Sequence, residues 1–291
     1  MEQVVSKEEA RQAIADARRE SRTIALVPTM GALHEGHLSL VRAAAKRASY
    51  VAVSIFVNPA QFGPHEDFDA YPRDLAGDAE LLRAEGVDLL FAPTTEGMYG
   101  DVSVSLDTAV KVDPGALATV WEGSSRPSHF IGVATVVTKL FGVIRPDLAF
   151  FGEKDFQQLR IVERVARDLD IPTKIVSCPV VRDRDGLALS SRNSRLDASA
   201  RKDALALYAA ISAAEAAVSA GETSVAALKA IMTAEFDSRP GIEMDYAVIV
   251  DPYTLEELTA VDRPVRVLVA GRVAQVRLID TAPIIPPRGP R

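Results

Sequence analysis

The sequence predicts an α/β fold: a doubly wound, parallel-sheet, Rossmann-like domain followed by a smaller C-terminal α+β domain. Three observations lead there. Over the first 185 or so residues, short apolar runs alternate with helix-patterned segments, the order that builds a parallel sheet covered by helices. One run, Val51–Val57, is apolar on both faces, as a buried parallel strand is. Beyond residue 185 the composition shifts to alanine-rich helical stretches followed by strands, an α+β order.

Each element has a local reason. Residues 6–20 form a helix, with Ser6 as N-cap and Glu9 three positions on, the pattern of a capping box. Ile24–Val27 is a strand, Leu38–Arg47 a helix, and Val51–Val57 the next strand. Asp78–Glu85 is a helix closed by Gly86, and Val87–Phe91 a strand. Gly132–Val143 carries Val133, Val136, Val137 and Leu140 at helical spacing. Leu148–Phe151 and Thr173–Cys178 are strands flanking the helix Phe156–Asp168. The domain boundary falls at 185/186. Ala198–Ala220 is one alanine-rich helix capped by Gly221, and Thr223–Phe236 is another. Met244–Val250, Val265–Ala270 and Val273–Ile279 are strands, the last two joined by a hairpin connection at Ala270-Gly271-Arg272-Val273. The second domain ends at Ala282, and the proline-rich 283–291 is a disordered tail.

Composition narrows the function. A net charge of -7 argues against a nucleic-acid partner. No apolar run is long enough for a membrane helix, and the N-terminus lacks the pattern of a signal peptide. Cys178 is the only cysteine, so there is no internal disulfide, and the expected compartment is the cytoplasm. Cys178 closes an apolar strand and reads as packing.

The most informative segment is Pro28-Thr29-Met30-Gly31-Ala32-Leu33-His34-Glu35-Gly36-His37, which follows the first apolar strand. It spends two of the four histidines where a strand hands over to a helix, the point that faces the ligand crevice in an open α/β sheet. A helix N-terminus there suits phosphate. His37-Leu38 stands where a P-loop needs Lys-Ser or Lys-Thr, so that motif is excluded. The histidines are also one position too close for H-E-x-x-H, and a zinc pair would need a third ligand. A glycine-rich turn with surface histidines is the bland reading.

Three further segments follow strands. Asn58-Pro59-Ala60-Gln61-Phe62 offers amides suited to a hydroxy acid, or is a plain turn. Gly152-Glu153-Lys154-Asp155-Phe156-Gln157-Gln158 offers a glycine and a phosphate-directed lysine, or is a charged helix cap. Leu189-Ser190-Ser191-Arg192-Asn193, after Arg182–Gly186, is a phosphate-clamping loop or an inter-domain linker. His129, in the serine-rich loop from Glu122, is read as a cap or core contact. The histidine, amide, lysine and serine-arginine segments, four in all, follow predicted parallel strands and so converge on one sheet edge. Together they suit ATP plus a small polar acid.

Pro28–His37, Val57–Phe62, Phe150–Gln158 and Leu189–Asn193, in that order, resemble the motifs of the pantothenate synthetase (pantoate–β-alanine ligase) family, over about residues 20–282. That family belongs to the nucleotidyltransferases with a histidine-glycine-histidine signature. The resemblance implies that ATP activates pantoate as pantoyl adenylate, with loss of pyrophosphate, and that β-alanine then displaces AMP. It implies that Pro28–His37, Gly152–Asp155, Val181 and Leu189–Arg192 contact ATP. Gln61 and Gln158 would hold pantoate, with Gln61 also near β-alanine. His37, His34 and Lys154 would carry the catalysis, with His37 as proton donor. Mg²⁺ would accompany ATP, with Asp78 its one candidate protein ligand. A homodimer is implied, with no nucleic-acid or membrane partner. The alternative is another adenylyl- or cytidylyltransferase of the same superfamily.

Overall fold

The structure is a computed structural model and describes residues 1–64, 66–100 and 109–287. It divides into two compact units: Met1–Gly152 with Gln157–Cys178, and Glu153–Phe156 with Pro179–Arg291.

The first unit is α/β, as expected. Among the described residues its strands are β1 (Glu2–Val4), β2 (Ile24–Thr29), β3 (Tyr50–Ile55), β4 (Leu89–Phe91), β5 (Leu148–Gly152) and β6 (Lys174–Cys178). They form one sheet in the order β1-β4-β3-β2-β5-β6, and every pairing is parallel. With β1 set aside as an added edge, this is the doubly wound order, and chain direction across the sheet reverses between β2 and β5. Ile24, Ala25, Leu26 and Val27 are fully buried, which is why β2 shows no alternation.

Helices α1 (Lys7–Arg19), α2 (Glu35–Ala45), α3 (Leu75–Ala84), α4 (Thr95–Tyr99), α5 (Glu122–Ser125), α6 (His129–Ile144) and α7 (Phe156–Asp168) connect the strands. The capping box of α1 forms as its sequence dictates: the Glu9 N–H donates to Ser6 Oγ at 3.1 Å, and the Ser6 N–H to Glu9 Oε2 at 3.0 Å. Helix α2 packs on β2, β3 and β5, and α1 packs with α6. Cys178 is buried in the core with Val27, Val53 and Phe150, a packing residue. β1 and α4 have no counterpart in the sequence reading, because three and five residues are too short to display a period.

The second unit holds α8 (Ala198–Ala204), α9 (Ala206–Ser219), α10 (Val225–Asp237) and an antiparallel sheet of β7 (Ile242–Val250), β8 (Val265–Val273) and β9 (Val276–Ile284). Its core joins Leu207, Ile211, Leu228, Met232 and Phe236 to Val267, Val269 and Leu278. The expected single helix over 198–220 tightens at Leu205, whose N–H reaches Lys202 three residues back. The hairpin turn lies at Ala274-Gln275, not at Ala270–Val273. Gly271 reads as a turn residue, yet it sits inside β8, where a Cβ would come within 3.0 Å of the Glu243 carbonyl. β9 also runs past the expected tail boundary: Pro283 pairs with Arg266 and Ile284 with Val265. Residues 288–291 of that tail lie outside the described residues.

Candidate functional site

The loop after β2 is built around a buried carboxylate. Asp78 on α3 accepts the Ala32 N–H at 2.9 Å and the Leu33 N–H at 2.7 Å. Burial pushes its pKa up, and those two amides pull it back. Gly31 takes φ +83°, and a Cβ there would lie 2.9 Å from Asp78 Oδ2, so both conformation and space require glycine. Each Asp78 oxygen thus carries one hydrogen bond from the loop backbone, which makes this carboxylate the anchor of the loop. Among the described residues no cluster of three or more His, Cys, Asp or Glu could hold a metal ion.

That clamp delivers the two histidines. His34 is the N-cap of α2, and its Nδ1 accepts the Gly36 N–H at 3.1 Å. His37 occupies the third helical position, and its Nδ1 accepts the His34 N–H at 3.4 Å. The helix therefore starts earlier than its apolar pattern indicates. Because both Nδ1 atoms accept, both rings carry their proton on Nε2. The ring centroids lie 4.1 Å apart, so the two Nε2–H donors come as a pair at a helix N-terminus. Glu35, between them, is paired with Arg42. Thr29 ends β2 with its hydroxyl on the Ser54 carbonyl and accepts the Gly31 N–H.

The amide segment after β3 lies in the same unit. Pro59–Gln61 is a short 3-10 turn capped by Asn58. Asn58 and Gln61 are buried, with 1% and 7% of their surface exposed. Gln61 Nε2 reaches Met30 Sδ at 3.1 Å, which ties this turn to the histidine loop. The Gln61 carbonyl accepts from His129 Nδ1 at 2.8 Å, and His129 Nε2 meets Arg126 at 3.1 Å. Arg126 pairs in turn with Glu66. Burial, then the neighbouring Arg126 charge, lowers the His129 pKa to about 4. His129 is thus a neutral core contact at the start of α6, as its sequence context suggests.

Of the two glutamines on α7, Gln157 is buried and structural: it donates to the Leu117 and Val120 carbonyls and accepts the Glu122 N–H. Gln158 beside it is half-buried. A Cβ on Gly152 would meet nothing within 4 Å, so protein packing does not demand glycine there.

In the second unit Glu153-Lys154-Asp155 forms one 3-10 turn. Glu153 is held at 2.9 Å by Arg266 of β8, whose guanidinium lies 4.1 Å from the Phe156 ring centroid. Lys154 is 3.6 Å from Asp155. Val181 and Leu189 face each other in a small hairpin, the Leu189 N–H donating to the Val181 carbonyl at 2.9 Å. The hairpin turns at Gly186, where a Cβ would strike the Tyr208 ring at 2.2 Å. Ser190 then caps a turn over Ser191–Arg195, its Oγ accepting the Arg192 N–H. This segment is thus a small hairpin followed by a 3-10 turn.

Two contributors escaped the sequence reading. Tyr99 donates to Asn58 Oδ1 at 2.7 Å, but sits on a five-residue helix with no pattern. Arg266 alternates with valines like an outward residue of a half-exposed strand, yet is 4% exposed.

A family model described as pantoate-beta-alanine ligase matches residues 2–283. A pantothenate synthetase of Rubrobacter xylanophilus is 48% identical over 280 residues, 95% of this chain and 96% of the relative. A crystal structure of pantothenate synthetase from Thermus thermophilus superposes with a TM-score of 0.91 at 44% identity, covering 98% of this chain and all of that one. A pantoate-beta-alanine ligase from Francisella tularensis, complexed with beta-gamma ATP and beta-alanine, superposes with a TM-score of 0.79 at 32% identity over 97% of both chains.

Proposed function

The chain belongs to the pantoate-beta-alanine ligase family, and we propose that it works through an acyl adenylate on the residues described above. It joins pantoate to β-alanine with ATP as the driving substrate. In the first step a pantoate carboxylate oxygen bonds to the α-phosphorus, and the bond to the bridging oxygen breaks with departure of pyrophosphate. In the second the β-alanine nitrogen bonds to the acyl carbon, the acyl–phosphate bond breaks, AMP leaves with the electron pair, and the nitrogen loses a proton.

The observation that carries this reading is the pair of imidazole rings of His34 and His37 at the N-terminus of α2, 4.1 Å apart, with both Nδ1 atoms held by backbone amides. In-line displacement at phosphorus needs positioning and charge stabilisation more than covalent help. Two pre-aimed donors at a helix N-terminus supply that without reorganisation. His37 donates toward the phosphate oxygens, His34 assists, and Lys154 contributes a full positive charge. Backbone from Pro28 to Gly36, Gly152–Asp155, Val181 and Leu189–Arg192 hold the rest of ATP. Gln158, unlike Gln157, is left for pantoate, together with Gln61, which also lies near β-alanine in this scheme. Mg²⁺ arrives on the ATP phosphates and not in a cage of side chains; no step here runs through it. A cytoplasmic homodimer belongs to the same reading and is tested by sedimentation.

The test is isotope exchange. Pyrophosphate should exchange into ATP with pantoate alone, and AMP release should require pantoate and β-alanine together. Exchange that needs β-alanine would remove the adenylate intermediate.

A further inference from the structure

We infer that Tyr99 is a positioning residue for pantoate selection: through Asn58 it holds the Gln61 carboxamide in one orientation, with Nε2 as the donor offered to substrate. This rests on the assignment of Gln61 to pantoate above, and adds to it the polarity of the contact and the group that sets it.

The two ends of a carboxamide have nearly the same shape, so its partners decide which end is which. Asn58 has partners of fixed kind on both sides. The Ala60 N–H, which can only donate, lies 3.2 Å from Oδ1. The Gly132 carbonyl, which can only accept, lies 3.2 Å from Nδ2. These two long backbone bonds of opposite sense tell which end of Asn58 is which, and the short 2.7 Å bond from Tyr99 is the strongest of the contacts that hold it there. Its Nδ2 also faces Gln61 at 3.1 Å, so the Gln61 atom there must be the acceptor Oε1. Nε2 is turned to the other side, toward Met30 Sδ. A thioether is a weak acceptor, so most of the donor capacity of Nε2 remains for a ligand.

Tyr99 closes the chain. Its hydroxyl donates to Asn58 Oδ1 at 2.7 Å, the shortest of the three side-chain links. The ring is set by Phe56, with centroids 6.2 Å apart, and by Lys139, whose Nζ lies 5.3 Å from its centroid. Burial pushes the phenol pKa up, so it stays a donor. The Gln61 main chain is fixed independently by His129 on its carbonyl. With backbone and amide both held, Gln61 cannot turn to suit a different ligand. A fixed Nε2–H donates to a carboxylate or hydroxyl oxygen and repels an ammonium group. It selects the oxygen side of a hydroxy acid, and any contact with β-alanine is to the carboxylate and not the amine.

Tyr99→Phe removes one oxygen and keeps the ring. The expected result is a KM for pantoate raised roughly five- to tenfold, the weight of one buried hydrogen bond, with KM for ATP within about twofold. A second readout needs no substrate. In ¹⁵N-labelled enzyme the Gln61 side-chain amide pair, assigned by its loss in Gln61→Ala, should be sharp in the wild type and exchange-broadened in Tyr99→Phe. A Tyr99→Phe enzyme with wild-type pantoate KM and a sharp Gln61 pair overturns the inference. So does a uniform rise in all three KM values with a large drop in Tm, which would make Tyr99 a packing residue only. If Gln61→Ala leaves pantoate KM unchanged while Tyr99→Phe still broadens the amide, the linkage stands but its role in selection falls, together with the assignment of Gln61 to pantoate.

Discussion

At the scale of single residues, His34 does two jobs that one substitution can separate. Its Nδ1 caps α2 through the Gly36 N–H, and its Nε2–H is the donor assigned to phosphate. Asparagine is a good N-cap, so His34→Asn should keep the helix end while losing the imidazole. His34→Ala should lose both, with a stability cost of about 1 kcal/mol. We expect the two variants to share a slowed adenylation and to differ in Tm; equal Tm values would show that the cap contributes nothing. His37→Ala should slow single-turnover adenylation by about 10²-fold or more, from lost stabilisation of transition-state charge. Wild-type adenylation in that variant would reassign the histidine turn. His129 makes a different prediction. It titrates near 6.5 in an unfolded chain and near 4 here, flanked by Arg126, Glu122 and Glu66. Between those values the unfolded chain binds more protons, so stability is lost as pH falls through 6.5 to 4 and is fully present above. For this one group the loss amounts to about 3 kcal/mol when complete. Urea unfolding at pH 7.5 and 4.5 should show that drop, and it should shrink in His129→Gln.

At the scale of elements, the long and strongly patterned ones were legible and the short ones were not. The Ser6–Glu9 capping box and the buried runs of β2 and β3 declare themselves because local chemistry and tertiary burial agree. β1 and α4 depend on neighbours far away in sequence, so their own residues carry no period. The candidate site divides the same way. The histidine turn stands out because glycines and imidazoles interrupt an apolar pattern. The partners that hold it and the neighbouring amide turn, Asp78 and Tyr99 respectively, are set by long-range packing. Gly132 shows how an element enforces the site. A Cβ there would lie 2.2 Å from the Ala60 carbonyl oxygen and 2.6 Å from the Gln61 nitrogen. Alanine favours a helix over glycine by about 1 kcal/mol, whereas overpacking against fixed backbone costs about 1–3 kcal/mol. Gly132→Ala should therefore lower Tm and raise the KM for pantoate as the turn is pushed aside; a more stable enzyme with normal KM would show that the turn yields freely. The end of β9 corrects a sequence expectation in the same way. A chain ending at Ala282 looks harmless by composition, but Ile284 is 2% exposed and paired with Val265. Ending at Pro287 should leave Tm unchanged, while ending at Ala282 should cost about 2 kcal/mol or more. Thermal denaturation of the two truncations decides it.

At the scale of the whole molecule, each unit has its own core, and the boundary between them is not a single cut. The chain leaves the first unit at Glu153, returns at Gln157, and leaves again after Cys178. The four residues of that first excursion are fastened to the second unit by Arg266, which pairs with Glu153 and stacks on Phe156. Removing one partner of a buried ion pair costs about 3–5 kcal/mol, because the remaining charge stays out of water. This has a consequence for how such a protein can be cut, shuffled or inherited in pieces. A gene fragment coding for 179–291 encodes the whole antiparallel sheet and its helices, yet omits the Glu153 carboxylate and the Phe156 ring that Arg266 meets. The C-terminal unit is therefore no portable cassette: recombination that swaps it must carry four codons from upstream, or replace Arg266 with something that needs no counter-charge.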